Sequence, residues 1–184
     1  MLRKLLNPVV TAFCAAFALS GPTLADGDRA AELLQELREP ELPNWKQVEQ
    51  AIRAEWAKSG SASMDLLLRR GRDAVEAGDF EAAIAHLTAL VDHAPDFAEG
   101  YNTRAMAYFR AGLFGPAIGD LARTLELNPG NFVALTGLAT ILEETARYEA
   151  ALRAVRAARA IHPHEPDLEE AEKRLEILTS GRTL

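Results

Sequence analysis

The sequence predicts an all-α solenoid, in which antiparallel helix pairs stack on one another and capping helices cover the ends. Pro95, Pro129 and Pro163 follow one another at intervals of 34 residues, and each interrupts a run with helical periodicity because proline cannot continue a helix. Aromatic residues make up only 7% of the chain, as suits closely packed helices. A fixed period of this length is typical of a repeat array.

The first 25 residues differ from the rest and predict a cleaved leader. Arg3 and Lys4 precede an eleven-residue apolar run, 9–19, and small residues lead up to Ala25. This is the pattern of a secretory signal peptide cleaved after Ala25. The run is shorter than the roughly 20 residues that a spanning helix needs, so no stable membrane span is expected after cleavage. Its short charged start favours a bacterial protein exported to the periplasm.

Residues 26–60 predict a helical pair before the repeats. Two helical runs, 28–39 and 44–60, are separated by Pro40 and Pro43. The pair is interpreted either as a degenerate repeat or as an N-terminal cap. "SGSAS", 59–63, is the expected hinge, with Ser63 capping the next helix through its hydroxyl. The apolar stripe of the second run consists of Trp45, Val48, Ile52 and Trp56.

Three repeats of two helices each follow, at 64–97, 98–131 and 132–165. Glycine is expected where the first helix of a repeat ends, because it tolerates a positive φ. Small residues let the two helices of a pair approach closely, and an aromatic ring opens the second helix. The equivalent positions are Gly71, Ala105, Ala139; Gly78, Gly112, Ala146; Phe80, Phe114, Tyr148; and Ala83, Ala117, Ala151.

In these positions the three units resemble the tetratricopeptide repeat, and the period matches. The resemblance covers about 100 residues and implies helix, tight turn, helix and a proline-bearing turn in each unit. The first unit departs from the pattern at Leu67, Arg70 and Ala74, and the third has Ala146 where glycine is usual.

Residues 166–184 are expected to supply a C-terminal capping helix and tail. A solenoid leaves an apolar face at its end, which a helix with one polar side can cover. The apolar side of this segment consists of Leu168, Ala171, Leu175 and Leu178, at the spacing of an amphipathic helix.

The resemblance implies that the first helix of each repeat lines a concave groove that binds a protein or peptide. We expect the groove to combine apolar contacts with amide and guanidinium donors. The residues carried over as partner-binding are Asp65, Leu68, Arg69, Arg72, Glu99, Asn102, Thr103, Met106, Phe109, Arg110, Thr136 and Thr140, with Glu76, Val133 and Glu143 beside them.

Two alternatives concern this groove. Arg69, Arg70 and Arg72 are also explained by ion pairs with acids such as Asp65, Asp73 and Glu76, or with the preceding helical pair. Related arrays that clamp a chaperone's terminal carboxylates use basic and Asn residues at set positions. The equivalent positions here are Leu68, Arg72, Thr103, Val133 and Gly137, so the resemblance does not favour a carboxylate clamp.

Several other classes of function find no support in the sequence. The formal net charge is −7, whereas nucleic-acid binding needs an excess of Lys and Arg. No nucleophile elbow is present, and no catalytic residue or cofactor is predicted. His162 and His164 lie in a turn without further metal ligands in the motif, so no metal site is predicted. His86 and His93 are interpreted as surface or half-buried residues.

The sequence thus predicts a non-catalytic periplasmic adaptor, which binds a peptide segment or protein partner in its concave groove. The alternative is a structural module of the cell envelope that associates with itself, through Trp45 and Trp56 or through an end helix. The predicted partners are therefore a protein or peptide of unknown identity or, in the alternative, further copies of this chain.

Overall fold

The computed structural model describes residues 25–181, which are all-α, as predicted. The leader, 1–24, and the last residues, 182–184, lie outside the described part of the chain. The helices within that part are α1 Ala25–Leu37, α2 Trp45–Trp56, α3 Ala62–Glu76, α4 Phe80–His93, α5 Ala98–Arg110, α6 Phe114–Leu127, α7 Phe132–Glu144, α8 Tyr148–Ile161 and α9 Pro166–Ser180. None of them is both long and apolar enough to cross a bilayer.

Consecutive helices pair and then stack. The helices α3 and α4, α5 and α6, and α7 and α8 pack together within the three repeats, and α9 packs on α8. The first helices of neighbouring repeats also meet, since α3 contacts α5 and α5 contacts α7. This arrangement places the first helices side by side along one face of the stack.

Small residues lie at the helix crossings, as the repeat alignment predicts. Ala83, Ala117 and Ala151 have no exposed surface, and Ala105 and Ala139 are 2% and 4% exposed. Gly71 shows why size matters here. A Cβ atom at this position would lie 2.5 Å from Cγ of Leu87, closer than packed carbon atoms approach.

The turns within the repeats depend on a positive φ. Gly78 and Gly112 have φ values of 77° and 75°, and Ala146 takes the same conformation with a φ of 56°. The next helices begin at Phe80, Phe114 and Tyr148, the three aromatic residues that the alignment placed there. Asp79 caps α4 as predicted, because its carboxylate accepts a hydrogen bond from the Ala82 N–H.

The predicted cap at Ser63 is wrong. The helix α3 already begins at Ala62, so Ser63 lies inside its first turn. Asp65 closes the hinge instead, because its Oδ1 accepts hydrogen bonds from the Ser59 N–H at 3.0 Å and from the Ser59 hydroxyl at 2.5 Å. These bonds hold the pKa of the Asp65 carboxyl below its ordinary value.

The N-terminal pair, α1 and α2, packs against the third repeat. Val48 and Ile52 form a buried cluster with Phe132, and Val133 and Ile161 pack against it. The Trp56 ring lies 5.2 Å from the Phe132 ring, measured between centroids. The pair therefore packs on the start of α7 and the end of α8. Neither interpretation of the sequence, a degenerate repeat or an N-terminal cap, specified this position.

The C-terminal helix α9 covers the last repeat. Leu168 and Leu175 are buried in one cluster with Leu152 and Val155 of α8, in agreement with the predicted apolar side. Leu178 departs from that prediction, since 37% of it is exposed in the last turn of the helix.

Candidate functional site: a groove walled by the N-terminal pair

The inner face of the stack contains a cavity of about 540 Å³, which we call the groove cavity. The helices α5 and α7 form its floor, while α9 and the turn before it form one side. Glu49 and Arg53 of α2 form part of the wall. The N-terminal pair thus helps to enclose the groove that the repeats create.

Apolar side chains form much of this lining. Met106 is 42% exposed, although it projects from a helix in the middle of the array. Phe109 lies beside it, and its ring stacks on Phe114 with 5.8 Å between the centroids. Val133 completes this strip on α7. Water-exposed apolar surface inside a concave cavity is suited to an apolar group of a partner.

Four of the charged lining residues form two ion pairs. Arg53 donates a hydrogen bond from Nε to Oε1 of Glu49 at 2.8 Å. Across the cavity, Arg174 binds both carboxylate oxygens of Glu143, at 2.8 Å and 3.0 Å. The hydrogen bond from Arg174 holds the pKa of the Glu143 carboxyl below its ordinary value. These two pairs are neutral overall, but Glu165 and Asp167 also line the cavity, so its lining has an excess of negative charge.

The structure brings some of the predicted groove residues into this cavity and leaves others outside. Those that line it are Asn102, Met106, Phe109, Thr136 and Thr140, together with Val133 and Glu143. Those that do not are Asp65, Leu68, Arg69, Arg72, Glu99, Thr103 and Arg110. The groove cavity therefore belongs to the second and third repeats.

Leu68 is a correction to the predicted groove. Its side chain is only 2% exposed, in a cluster with Ala83, Leu87 and Leu90 of α4. Leu68 therefore belongs to the core between α3 and α4 and has no surface to offer a partner.

Glu99, Asn102 and Thr103 form a buried polar network rather than free groove donors. Arg72 Nη2 lies 2.6 Å from Oε1 of Glu99, and Asn102 Nδ2 donates to Oε2 of the same carboxylate at 3.1 Å. Thr103 Oγ1 donates to Oε1 at 3.4 Å, a weaker contact. The arginine is thus paired with an acid, as one alternative expected, but the acid belongs to the next repeat.

Sequence reasoning missed a second ion pair, which joins the two helices of the second repeat. Arg104 makes two hydrogen bonds to Asp120, at 2.7 Å and 2.8 Å, and its guanidinium lies between the rings of Tyr101 and Tyr108. The hydrogen bonds that Arg104 donates to Asp120 raise the pKa of Arg104 above its ordinary value. Arg104 occupies a position equivalent to Arg70, and this shared charge at an otherwise apolar position was the available signal.

A cluster at one end of the groove cavity was missed as well. His162 is 1% exposed, and Glu49 and Glu165 reach towards it, so that one ligand atom from each residue lies within 4.8 Å of the others. Burial lowers the pKa of His162, against the opposite effect of the Glu49 carboxylate. Because Glu49 lies more than 100 positions before His162 and Glu165, the turn at 162–164 alone did not reveal the cluster.

Known proteins show the same repeat. The family model described as tetratricopeptide repeat matches residues 68–132 and 102–166. A TPR repeat-containing protein of Rhizobium etli is 31% identical over 157 residues, which are 85% of this chain and 76% of that protein.

Solved structures share the fold at lower identity. The TPR2B domain of yeast Sti1 in complex with an Hsp70 peptide superposes with a TM-score of 0.60 at 23% identity, over 63% of this chain and 98% of that one. The first TPR of Spaghetti (RPAP3), bound to an HSP90 peptide, gives a TM-score of 0.63 at 20% identity, over 65% of this chain and 98% of that one. The family match and the Rhizobium relative show that the chain belongs to the tetratricopeptide repeat family.

Proposed function

We propose that this protein is a non-catalytic adaptor, which binds a peptide segment of a partner protein in the groove cavity. The observation that carries the proposal is the exposed Met106 beside Phe109 and Val133, inside a cavity of about 540 Å³. Methionine adapts its shape to irregular apolar partners. The solved neighbours named above hold Hsp70 and HSP90 peptides, which supports a role in peptide binding for this fold.

The lining favours an apolar anchor over a terminal carboxylate. Arg53 and Arg174 are paired with Glu49 and Glu143 within the cavity, so capturing a carboxylate would first require these pairs to break. Arg72, the basic residue at a clamp position, is held by Glu99. We therefore propose a partner segment that inserts one or more apolar side chains between α5 and α7.

The test is selection from a random peptide library displayed on phage, with the purified protein as bait. We expect enrichment of peptides with large apolar residues, and loss of their binding in the Met106→Glu variant. Leu113→Glu is the matched control, because Leu113 is 46% exposed but does not line the groove cavity. Circular dichroism of both variants checks that the helical content is unchanged.

Two results would contradict the proposal. Equal binding of the selected peptides by wild type and Met106→Glu would remove the groove cavity as the site. Enrichment of peptides by an acidic C-terminus, independent of apolar residues, would replace the apolar anchor with a carboxylate clamp.

We further propose that the protein acts in the bacterial periplasm after export. The support is the leader-like segment 1–25, with its charged start and short apolar run, which is typical of a signal peptide. Expression of the full chain in a bacterium, followed by fractionation and mass measurement, tests this. A periplasmic product that begins at Asp26 is the expected result, and a cytoplasmic product that retains Met1 would contradict it.

Self-association remains the second candidate, through the end helix rather than through Trp45 and Trp56. Trp45 packs edge-on against His162 and Trp56 packs against Phe132, so both rings are used inside the chain. The end helix offers Ile177, which is 71% exposed, and Leu178. Sedimentation of wild type and Ile177→Glu over a range of concentrations distinguishes self-association from the adaptor role. A dimer that the variant abolishes would favour self-association.

A further inference from the structure

We propose that Glu49, His162 and Glu165 bind a divalent first-row transition-metal ion, for which Zn²⁺ is the natural probe. Glu49 comes from α2, while His162 and Glu165 come from the turn between α8 and α9. One ligand atom from each residue lies within 4.8 Å of the other two. The segment 162–164 offers too few ligands by itself, and the fold adds Glu49 from α2 and Glu165 from the N-cap position of α9.

The imidazole of His162 is the observation that requires an explanation. The residue is 1% exposed, yet neither Nδ1 nor Nε2 has a hydrogen-bond partner of good geometry. Buried polar groups in proteins nearly always have a partner. Nε2 faces Glu49, but the distance to Oε2 is 3.5 Å, which is long for a hydrogen bond. An ion between Nε2 of His162 and Oε2 of Glu49 would give each of these two atoms a partner.

The spacing fits such an ion. In a tetrahedral zinc site with bonds of roughly 2.0–2.1 Å, neighbouring ligand atoms lie about 3.4 Å apart. The 3.5 Å between Nε2 and Oε2 is close to that value. Glu165 needs to approach somewhat further, and its half-buried carboxylate is held only by a long hydrogen bond, 3.5 Å, from the Asp167 N–H to Oε1.

The surrounding charges orient the ligands and suit a dication. Arg53 binds Oε1 of Glu49 at 2.8 Å, which leaves Oε2 directed towards His162. The remaining oxygens of two carboxylates and one neutral imidazole form a donor set with a charge of two negative units. An imidazole nitrogen favours zinc and similar ions, whereas Mg²⁺ and Ca²⁺ prefer oxygen ligands alone.

The ion would also connect two parts of the fold. It would tie α2 of the N-terminal pair to the turn that ends the third repeat. Three protein ligands leave a coordination position open, and all three residues line the groove cavity. Water or a carboxylate of a bound partner can therefore reach that position from the groove.

Isothermal titration of the metal-stripped protein with Zn²⁺ tests the proposal. We expect one ion per chain and a rise in Tm when Zn²⁺ is present. Glu49→Gln and Glu165→Gln keep the side-chain size but remove an anionic ligand, and each should weaken binding by at least about tenfold. Mg²⁺ should not compete.

His164→Gln is the matched control. His164 lies in the same turn, but its Nε2 is bonded to the backbone oxygen of Glu39 at 2.9 Å, so Zn²⁺ binding should survive the change. Circular dichroism of the three variants separates loss of a ligand from loss of the fold. Absence of Zn²⁺ binding by the wild type would overturn the proposal, and so would binding that both glutamine variants retain.

Discussion

At Ala146 a residue with a side chain occupies a backbone conformation that favours glycine. Its φ is 56°, while the equivalent positions of the other two repeats are Gly78 and Gly112. A left-handed conformation costs a residue with a Cβ roughly 1–2 kcal/mol, and glycine recovers part of this. We expect Ala146→Gly to raise the free energy of unfolding by about 0.5–1 kcal/mol in a urea titration.

The control for this change is Ala111→Gly. Ala111 lies one residue before Gly112, with a φ of −81° that suits alanine. The same substitution there should leave stability unchanged or lower it. A gain at Ala111 equal to that at Ala146 would show that backbone strain is not the cause.

The lowered pKa of Glu172 predicts that the free energy of unfolding falls at low pH. Hydrogen bonds from Arg156 and Arg159 hold its pKa below the ordinary value. A lowered folded-state pKa stabilises the protein above the unfolded-state pKa of about 4.3, and this contribution disappears as the pH falls through the lowered value.

Glu172→Gln should therefore destabilise the protein at pH 7 and match the wild type once the pH is below the lowered pKa. Thermal melts followed by circular dichroism from pH 7 down to pH 3 measure this difference. Glu170→Gln, at an exposed position of the same helix, is the comparison and should show a smaller dependence. A pH-independent difference for Glu172→Gln would contradict the assigned ion pairs.

At the scale of the helices, small buried residues at the crossing points determine how closely the two helices of a pair pack. Ala117 of α6 has no exposed surface and lies in a cluster with Ala105, Leu121 and Ile141. Ala117→Trp should overpack this crossing and lower the free energy of unfolding by about 1–3 kcal/mol or more. Ala122→Trp, on the exposed side of the same helix, should change stability much less in the same denaturant titration.

The helices of the repeats could be predicted because each boundary has a local cause. Pro129 ends α6, Gly112 reverses the chain, and Asp79 caps α4, so sequence neighbours are sufficient. The buried small residues at 83, 117 and 151 follow from the same period. The error at Ser63 is also local, since α3 begins two residues earlier than the cap prediction required, with Ser61 at the N-cap position.

The candidate site was less predictable because it depends on contacts between distant segments. Met106 and Phe109 could be assigned to the groove from their position in the repeat. The place of α2 could not, because its apolar stripe fits many apolar surfaces equally well. Glu49 and His162 meet only through that placement, and no periodic signal connects them.

For the molecule as a whole, the docked N-terminal pair should make unfolding a single event. Ile52 has no exposed surface and packs with Phe132 of the third repeat. Ile52→Ala should cost about 2–5 kcal/mol, and the variant should still unfold in one transition because the pair and the repeats stabilise each other.

Gln50→Ala, at an exposed position of α2, is the control and should leave the transition midpoint nearly unchanged. Fluorescence of Trp45 and Trp56 reports on the pair, and far-ultraviolet circular dichroism reports on all helices. Two separate transitions by these probes in the wild type would show that the pair is an independent unit.

The contact of Trp56 with Phe132 also imposes an order on folding. The helix α2 leaves the ribosome long before α7 and the turn at His162, so its apolar stripe has no native surface to cover until three repeats have been made. The repeats can assemble from neighbouring segments as they emerge, whereas docking of the pair must close a long loop of chain. During that interval Trp45, Val48 and Ile52 lack the native contacts that bury them in the folded protein.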